Sequence, residues 1–176
     1  MLAAIRRNVT WWAILVAGLA AGTVHLIITL TFMYLLYGST PALFLRYCGS
    51  LILGPDALVG TGAGPVVLGL LVHYVLSVIM AAIIALVVHR WGMLVGLVGG
   101  GILGLAFYAI NYYALTLLFP WFFAANNPVL LLSHLFFGIT AGGIYEYFDR
   151  FDLPINGRPT EPSPHEQPRH ERGATP

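Results

Sequence analysis

Four stretches of this chain, residues 11–37, 66–88, 93–119 and 129–148, are each apolar and long enough to cross a bilayer. About 20 apolar residues cover roughly 30 Å of hydrocarbon as a helix. In lipid every backbone N–H and C=O has to be satisfied internally, and a single apolar segment does this only as a helix. The expected architecture is therefore an all-α membrane domain of four transmembrane helices over residues 1–151. Composition agrees, with 59% hydrophobic and 9% charged residues and a mean hydropathy of +0.84, against roughly 25% charged in soluble domains. A net charge of +1 without a basic stripe gives no footing for nucleic acid. The first partner is the lipid bilayer, and a four-helix bundle this small is expected in a homo-oligomer or a larger membrane complex.

Orientation follows from the arginines, since the chain has no lysine. Four crossings put both termini and the turn at 89–92 on one side, together with Arg6, Arg7, Arg90, Arg150, Arg158, Arg169 and Arg172; the other side holds only Arg46. The positive-inside rule places both termini in the cytoplasm. Trp11, Trp12, Trp91, Tyr145 and Tyr147 are expected at the inner interface, and Tyr34, Tyr37 and Trp121 at the outer one. The first apolar run far exceeds the roughly 7–15 residues of a signal h-region, so it reads as an uncleaved helix.

Between the first two spans, residues 38–64 are too polar and glycine-rich to cross. The middle of this segment, PALFLRYCGSLILGPDAL, carries only Arg46 and Asp56 as charges and is expected to lie as an interfacial helix along the outer surface. It holds Cys48, the only cysteine, so no intrachain disulfide forms. The tail 152–176 has six of the 11 prolines and alternating charges; it cannot bury a core and is expected to be disordered and cytoplasmic. His165 and His170 there read as solvent residues.

The spans also resemble two halves. LLVHYVLS (70–77) and LLSHLFFG (131–138) occupy matching places in the second and fourth spans, preceded by GPVVL and NPVLL. A parallel repeat of two hairpins about an axis along the membrane normal is one reading. Gly92, Gly96, Gly100 and Gly104 recur every fourth residue, as do Gly138 with Gly142 and Gly18 with Gly22. In lipid, small residues so spaced let helix backbones approach closely.

The histidines share those rows: His25 follows Ala17 and Ala21, His73 follows Gly69, and His134 precedes Gly138, Gly142 and Glu146. Residues four apart lie on one helix face, so the three rings should point into helix contacts. At about 1.5 Å per residue, His25 lies roughly 18 Å below the outer end of its helix, Asn111 about 15 Å, His73 about 12 Å and His134 about 9 Å. A polar layer of His25, His73, Asn111, Tyr112 and His134 is thus expected in the outer half of the bundle, with Glu146 as a cytoplasmic exit. Polar groups at such depth mark a pathway or a site; the plainer reading is that they fix helix register.

LILGPDAL in the outer loop, followed by FYAINYYALTLLFPWF and SHLFFG, resembles a family of small bacterial four-helix integral membrane proteins of unknown function, some labelled sodium:proline symporter. The resemblance covers residues 18–147, with NYY…FPWF…H as its most specific part. It implies the four-helix topology and weight on Asn111, Pro120, Trp121 and His134. It implies no chemistry, because symporters of that name surround their ion with a dozen or so helices, which four cannot do.

Three roles follow. The polar layer serves a proton or small-solute relay in a permeation-type protein, or it is a packing network in an accessory subunit, or His73 and His134 are axial ligands of a b-type haem. Close-packed glycine and alanine rows leave little space for haem, and no other cofactor or metal is expected. An enzyme is the least supported class: there is no nucleophile with a positioned base, no carboxylate pair, no phosphate loop and no HExxH.

Overall fold

The computed structural model describes residues 10–89 and 91–150. The expected disorder of the tail, His165, His170, and the arginines of the orientation argument other than Arg46 and the backbone of Arg150 lie outside them. Four helices are long and apolar enough to span a membrane, and no strand occurs among the described residues. They are α1 (Trp11–Tyr37), α3 (Gly64–Val88), α4 (Met93–Ala109) and α5 (Pro128–Arg150), with a shorter α2 (Pro41–Leu53) after the first.

Local chemistry sets the ends. Gly38 takes φ +62° after α1, a left-handed conformation open to glycine, and Ser39 N–H then returns to the Met33 carbonyl. Before α5 the pair Asn127-Pro128 does the opposite job: the Asn127 Oδ1 accepts from Leu130 N at 3.1 Å, and proline supplies a first residue that needs no N–H partner. Asn127→Ala should lower stability by about 1 kcal/mol, read as a reduced thermal midpoint in detergent; an unchanged midpoint would mean the cap is dispensable.

One span departs from the continuous helix expected over 93–119. Regular α geometry stops at Ala109, and the chain continues as a π turn, Ile110–Ala114, and a 3-10 turn, Leu115–Leu117, before a second 3-10 turn at Pro120–Ala125. Pro120 cannot donate a backbone hydrogen bond, and it closes the span from downstream.

Small residues join the helices in two antiparallel pairs. Gly18 and Gly22 of α1 sit on α3: a Cβ on Gly18 would stand 2.7 Å from Val78 Cα, and one on Gly22 2.7 Å from Ser77 Oγ. On α4, a Cβ at Gly100 would fall on the Gly138 carbonyl and one at Gly104 on the His134 carbonyl; on α5, one at Gly142 would fall on the Gly96 carbonyl. Gly92 stands apart from this row. It caps α4 with φ +95°.

The two hairpins are not equivalent. α1 packs extensively along α5, whereas α3 touches α4 only sparingly. Ala13, Ala17 and Ala21 of α1 join Phe137, Ala141 and Tyr145 of α5 in the main apolar core. The matching face between α3 and α4 has no such seam.

α2 docks on the bundle with one face. It packs onto α3, because a Cβ on Gly69 would fall on the Leu45 carbonyl and one on Gly49 on the Pro65 carbonyl. Phe44, Arg46, Cys48 and Ser50 are consequently buried. Arg46 is satisfied inside: Nη1 donates to Ala57 O at 3.0 Å and Nη2 to Gly62 O at 2.6 Å, tying the outer loop to α2.

Candidate functional site

His25, His73 and His134 are brought together by α1, α3 and α5, all three buried. The His25 ring centre lies 5.3 Å from that of His73 and 4.6 Å from that of His134. Gly22 explains the first approach: it lets α3 come close enough for His73 Nε2 to donate to the Gly22 carbonyl at 3.0 Å. A carbonyl only accepts, so His73 carries its proton on Nε2 and leaves Nδ1 as a lone pair.

The same reasoning orients His134. Its Nδ1 lies 2.7 Å from the Leu130 carbonyl and must be the protonated nitrogen. Nε2 is then an acceptor, and it meets the Asn111 amide Nδ2 at 3.1 Å. His25 closes the layer, with Nε2 3.2 Å from His134 Nδ1 and 3.1 Å from Ser133 Oγ, and Nδ1 3.5 Å from Thr29 Oγ1. The π turn of α4 presents neighbours in sequence to one target: besides Asn111, Tyr112 places its ring 6.0 Å from that of His134. Widened turns of this kind recur at functional sites.

These groups border a cavity of about 440 Å3 between α3 and α4. α2 covers its outer end with Phe44, whose ring lies 6.0 Å from His25 and 6.2 Å from His73. At its side Ile79 and Ile83 of α3 and Ile110 of the π turn line the cavity and are also exposed on the apolar outside of the bundle. The mouth therefore opens on that apolar flank. Cys48 lines the cavity as a free thiol, and burial pushes it up to about 12.

A second polar cluster sits at the opposite end, where the described residues begin and end. His89 Nδ1 is 2.7 Å from Tyr145 OH and 3.4 Å from Asp149 Oδ2, and Thr10 Oγ1 donates to Asp149 Oδ1 at 2.8 Å. Glu146 Oε2 accepts from Gly92 N–H at 3.1 Å at the start of α4, where the helix dipole favours a carboxylate. Glu146 is 1% exposed, so it is a buried cap and not an open exit. Tyr145, expected at the interface, is likewise fully buried. The i, i+4 pair Tyr145/Asp149 was the available sequence signal for this cluster; its partners His89 and Thr10 come from distant segments and carried none.

Between the two clusters the bundle is apolar. Ala17, Ala21, Ala81, Ile84, Phe137 and Ala141 fill it, over the twelve residues from His134 to Glu146, about 18 Å of helix.

A haem between His73 and His134 does not fit these residues. His25 occupies the space beside both rings, and His134 has both nitrogens engaged, on Leu130 and Asn111. No triad of His, Cys, Asp or Glu among the described residues is placed to hold a metal ion. No protein family matches the chain, and no curated protein and no solved structure was found similar to it.

Proposed function

We propose that this protein is a non-enzymatic accessory protein of a bacterial plasma membrane that takes a small amphipathic molecule from the lipid into the cavity between α3 and α4. The observation that carries this reading is the position of the histidine layer. It does not close on itself in helix packing but borders a lipid-facing cavity, of the size and mostly apolar lining typical of small-molecule sites. With both termini cytoplasmic, the cavity belongs to the outer half of the bilayer.

A relay within the layer has support of its own in the run Asn111, His134, His25 and Thr29. The apolar alanine layer argues against extending that run across the membrane. A binding protein of this design should not conduct protons when reconstituted in dye-loaded liposomes, whereas a transmembrane relay should.

The direct test uses Ile79→Trp, which adds bulk at the mouth of the cavity on a half-exposed position where a larger side chain can be accommodated. Wild-type protein purified in mild detergent should carry a bilayer-derived small molecule near one per chain by native mass spectrometry. Ile79→Trp should weaken binding about tenfold, equivalent to roughly 1.4 kcal/mol, so that occupancy falls to about half. Equal occupancy in the two proteins, or none in either, would refute the reading.

A further inference from the structure

Given that cavity reading, on which this inference rests, the unpaired polar atoms of the lining specify the ligand more narrowly: we propose that the site takes an uncharged aromatic ring bearing hydroxyl groups and an apolar tail, a membrane hydroquinone. Three features carry the argument. The first is charge. No Asp, Glu, Lys or Arg lines the cavity among the described residues, and Arg46 beside it is turned to the Ala57 and Gly62 carbonyls. An ionised head group would find a counter-ion only by charging one of the buried lining histidines, which is unfavourable. Fatty acids and phospholipid head groups are thereby disfavoured.

The second feature is the hydrogen-bond inventory. His73 Nδ1 is a lone pair with no protein partner among the described residues, since Nε2 donates to Gly22. Asn111, whose amide nitrogen serves His134, leaves its Oδ1 as an acceptor. Tyr112 OH, also on the lining, has no protein partner either and can donate or accept. A site with two fixed acceptors and one adaptable hydroxyl calls for a ligand that donates. A hydroquinone donates from two hydroxyls; the corresponding quinone offers carbonyls only and would set a lone pair against His73 Nδ1.

The third feature is shape. Phe44, Phe107, Phe119, Phe122 and Phe137 line the cavity together with Tyr112, a set of flat faces and edges suited to an aromatic ring. The opening past Ile79, Ile83 and Ile110 leaves a route for a hydrocarbon tail into the bilayer. The inference concerns binding.

The test is a titration of the full chain in nanodiscs with decyl-hydroquinone kept reduced, with the matching decyl-quinone, and with decanol and decanoate. Binding is read by calorimetry and by the 15N shift of the His73 ring. Decyl-hydroquinone should bind about tenfold more tightly than the quinone, one unpaired buried acceptor being of that order, and should shift the His73 Nδ1 resonance; decanoate should not bind measurably. In His73→Phe the hydroquinone-to-quinone ratio should fall several-fold, Asn111 Oδ1 remaining as an acceptor, and in Tyr112→Phe hydroquinone binding should weaken several-fold. The ratio is measured within a single protein, so it does not depend on the folded fraction. Equal affinity for the two redox forms, or decanoate binding as tight as hydroquinone, overturns the ligand class while leaving the cavity reading in place, provided Ile79→Trp weakens whatever binds. Failure of all four compounds to bind overturns both.

Discussion

Gly100→Leu should destabilise the helical domain by at least about 3 kcal/mol, at or beyond the upper end of ordinary overpacking, while Val98→Leu on the same helix should stay within about 0.5 kcal/mol of the parent. The difference comes from what the new atoms meet. At Gly100 the first added carbon already falls on the Gly138 carbonyl, with Gly142 Cα 3.3 Å away, and these backbone atoms cannot rotate aside. Val98 is 55% exposed on the lipid side. Gly100→Ala should lie between them, since it adds that first carbon alone. The disturbance also reaches the site, because His134 supplies the carbonyl against which Gly104 packs one turn further along. Thermal unfolding in detergent, followed by near-UV circular dichroism, separates the variants. Matching midpoints for Gly100→Leu and Val98→Leu would show that α4 and α5 do not meet through this row.

The spans were legible because one physical variable, apolar length against bilayer thickness, determines them. Residues 11–37 were read with the boundaries the structure has, and the later spans begin or end within about two residues of the expected ones, with the fourth-turn region of α4 as the exception. There the sequence reads as one helix, since Asn111, Tyr112 and Tyr113 are all compatible with α geometry. The π turn coincides with the contacts of Asn111 and Tyr112 to His134 across the bundle, which local sequence does not encode. The grouping of His25, His73 and His134 was accessible from four-residue spacing and depth, both properties of single helices. What the histidines border was not. A cavity is the outcome of how two pairs of helices are placed, and the sparing contact between α3 and α4 leaves no trace in either one's periodicity.

The same limit explains α2. Its apolar residues suit a membrane surface and a protein surface equally, and the Gly49/Gly69 contact that decides between them joins two glycines unrelated in local sequence. Trp121 illustrates the consequence. Expected as an outer-interface anchor, it donates from Nε1 to Ser50 Oγ of α2 at 3.0 Å, so the protein itself holds this aromatic residue.

Cys48 reports whether α2 stays docked. In the folded protein it should react with N-ethylmaleimide at pH 7.5 on the order of a thousandfold more slowly than a free cysteine, because the thiolate is the nucleophile and burial holds deprotonation back to about 12. The reaction should keep accelerating as pH is raised, since the neutral thiol persists until that range. Gly69→Leu should remove most of this protection. Its side chain would be built onto the Leu45 carbonyl, and α2 has to move off α3 to make room, taking Cys48 out of its buried position one turn away. A rate recovering to within about tenfold of free cysteine is the expected result. Val67→Leu is the matched control, on the same helix but 66% exposed, and should leave Cys48 as slow as in the parent. If the parent protein already reacts as fast as Gly69→Leu, α2 does not cover the cavity. The histidine layer would then open to the outer membrane surface as well as to the lipid.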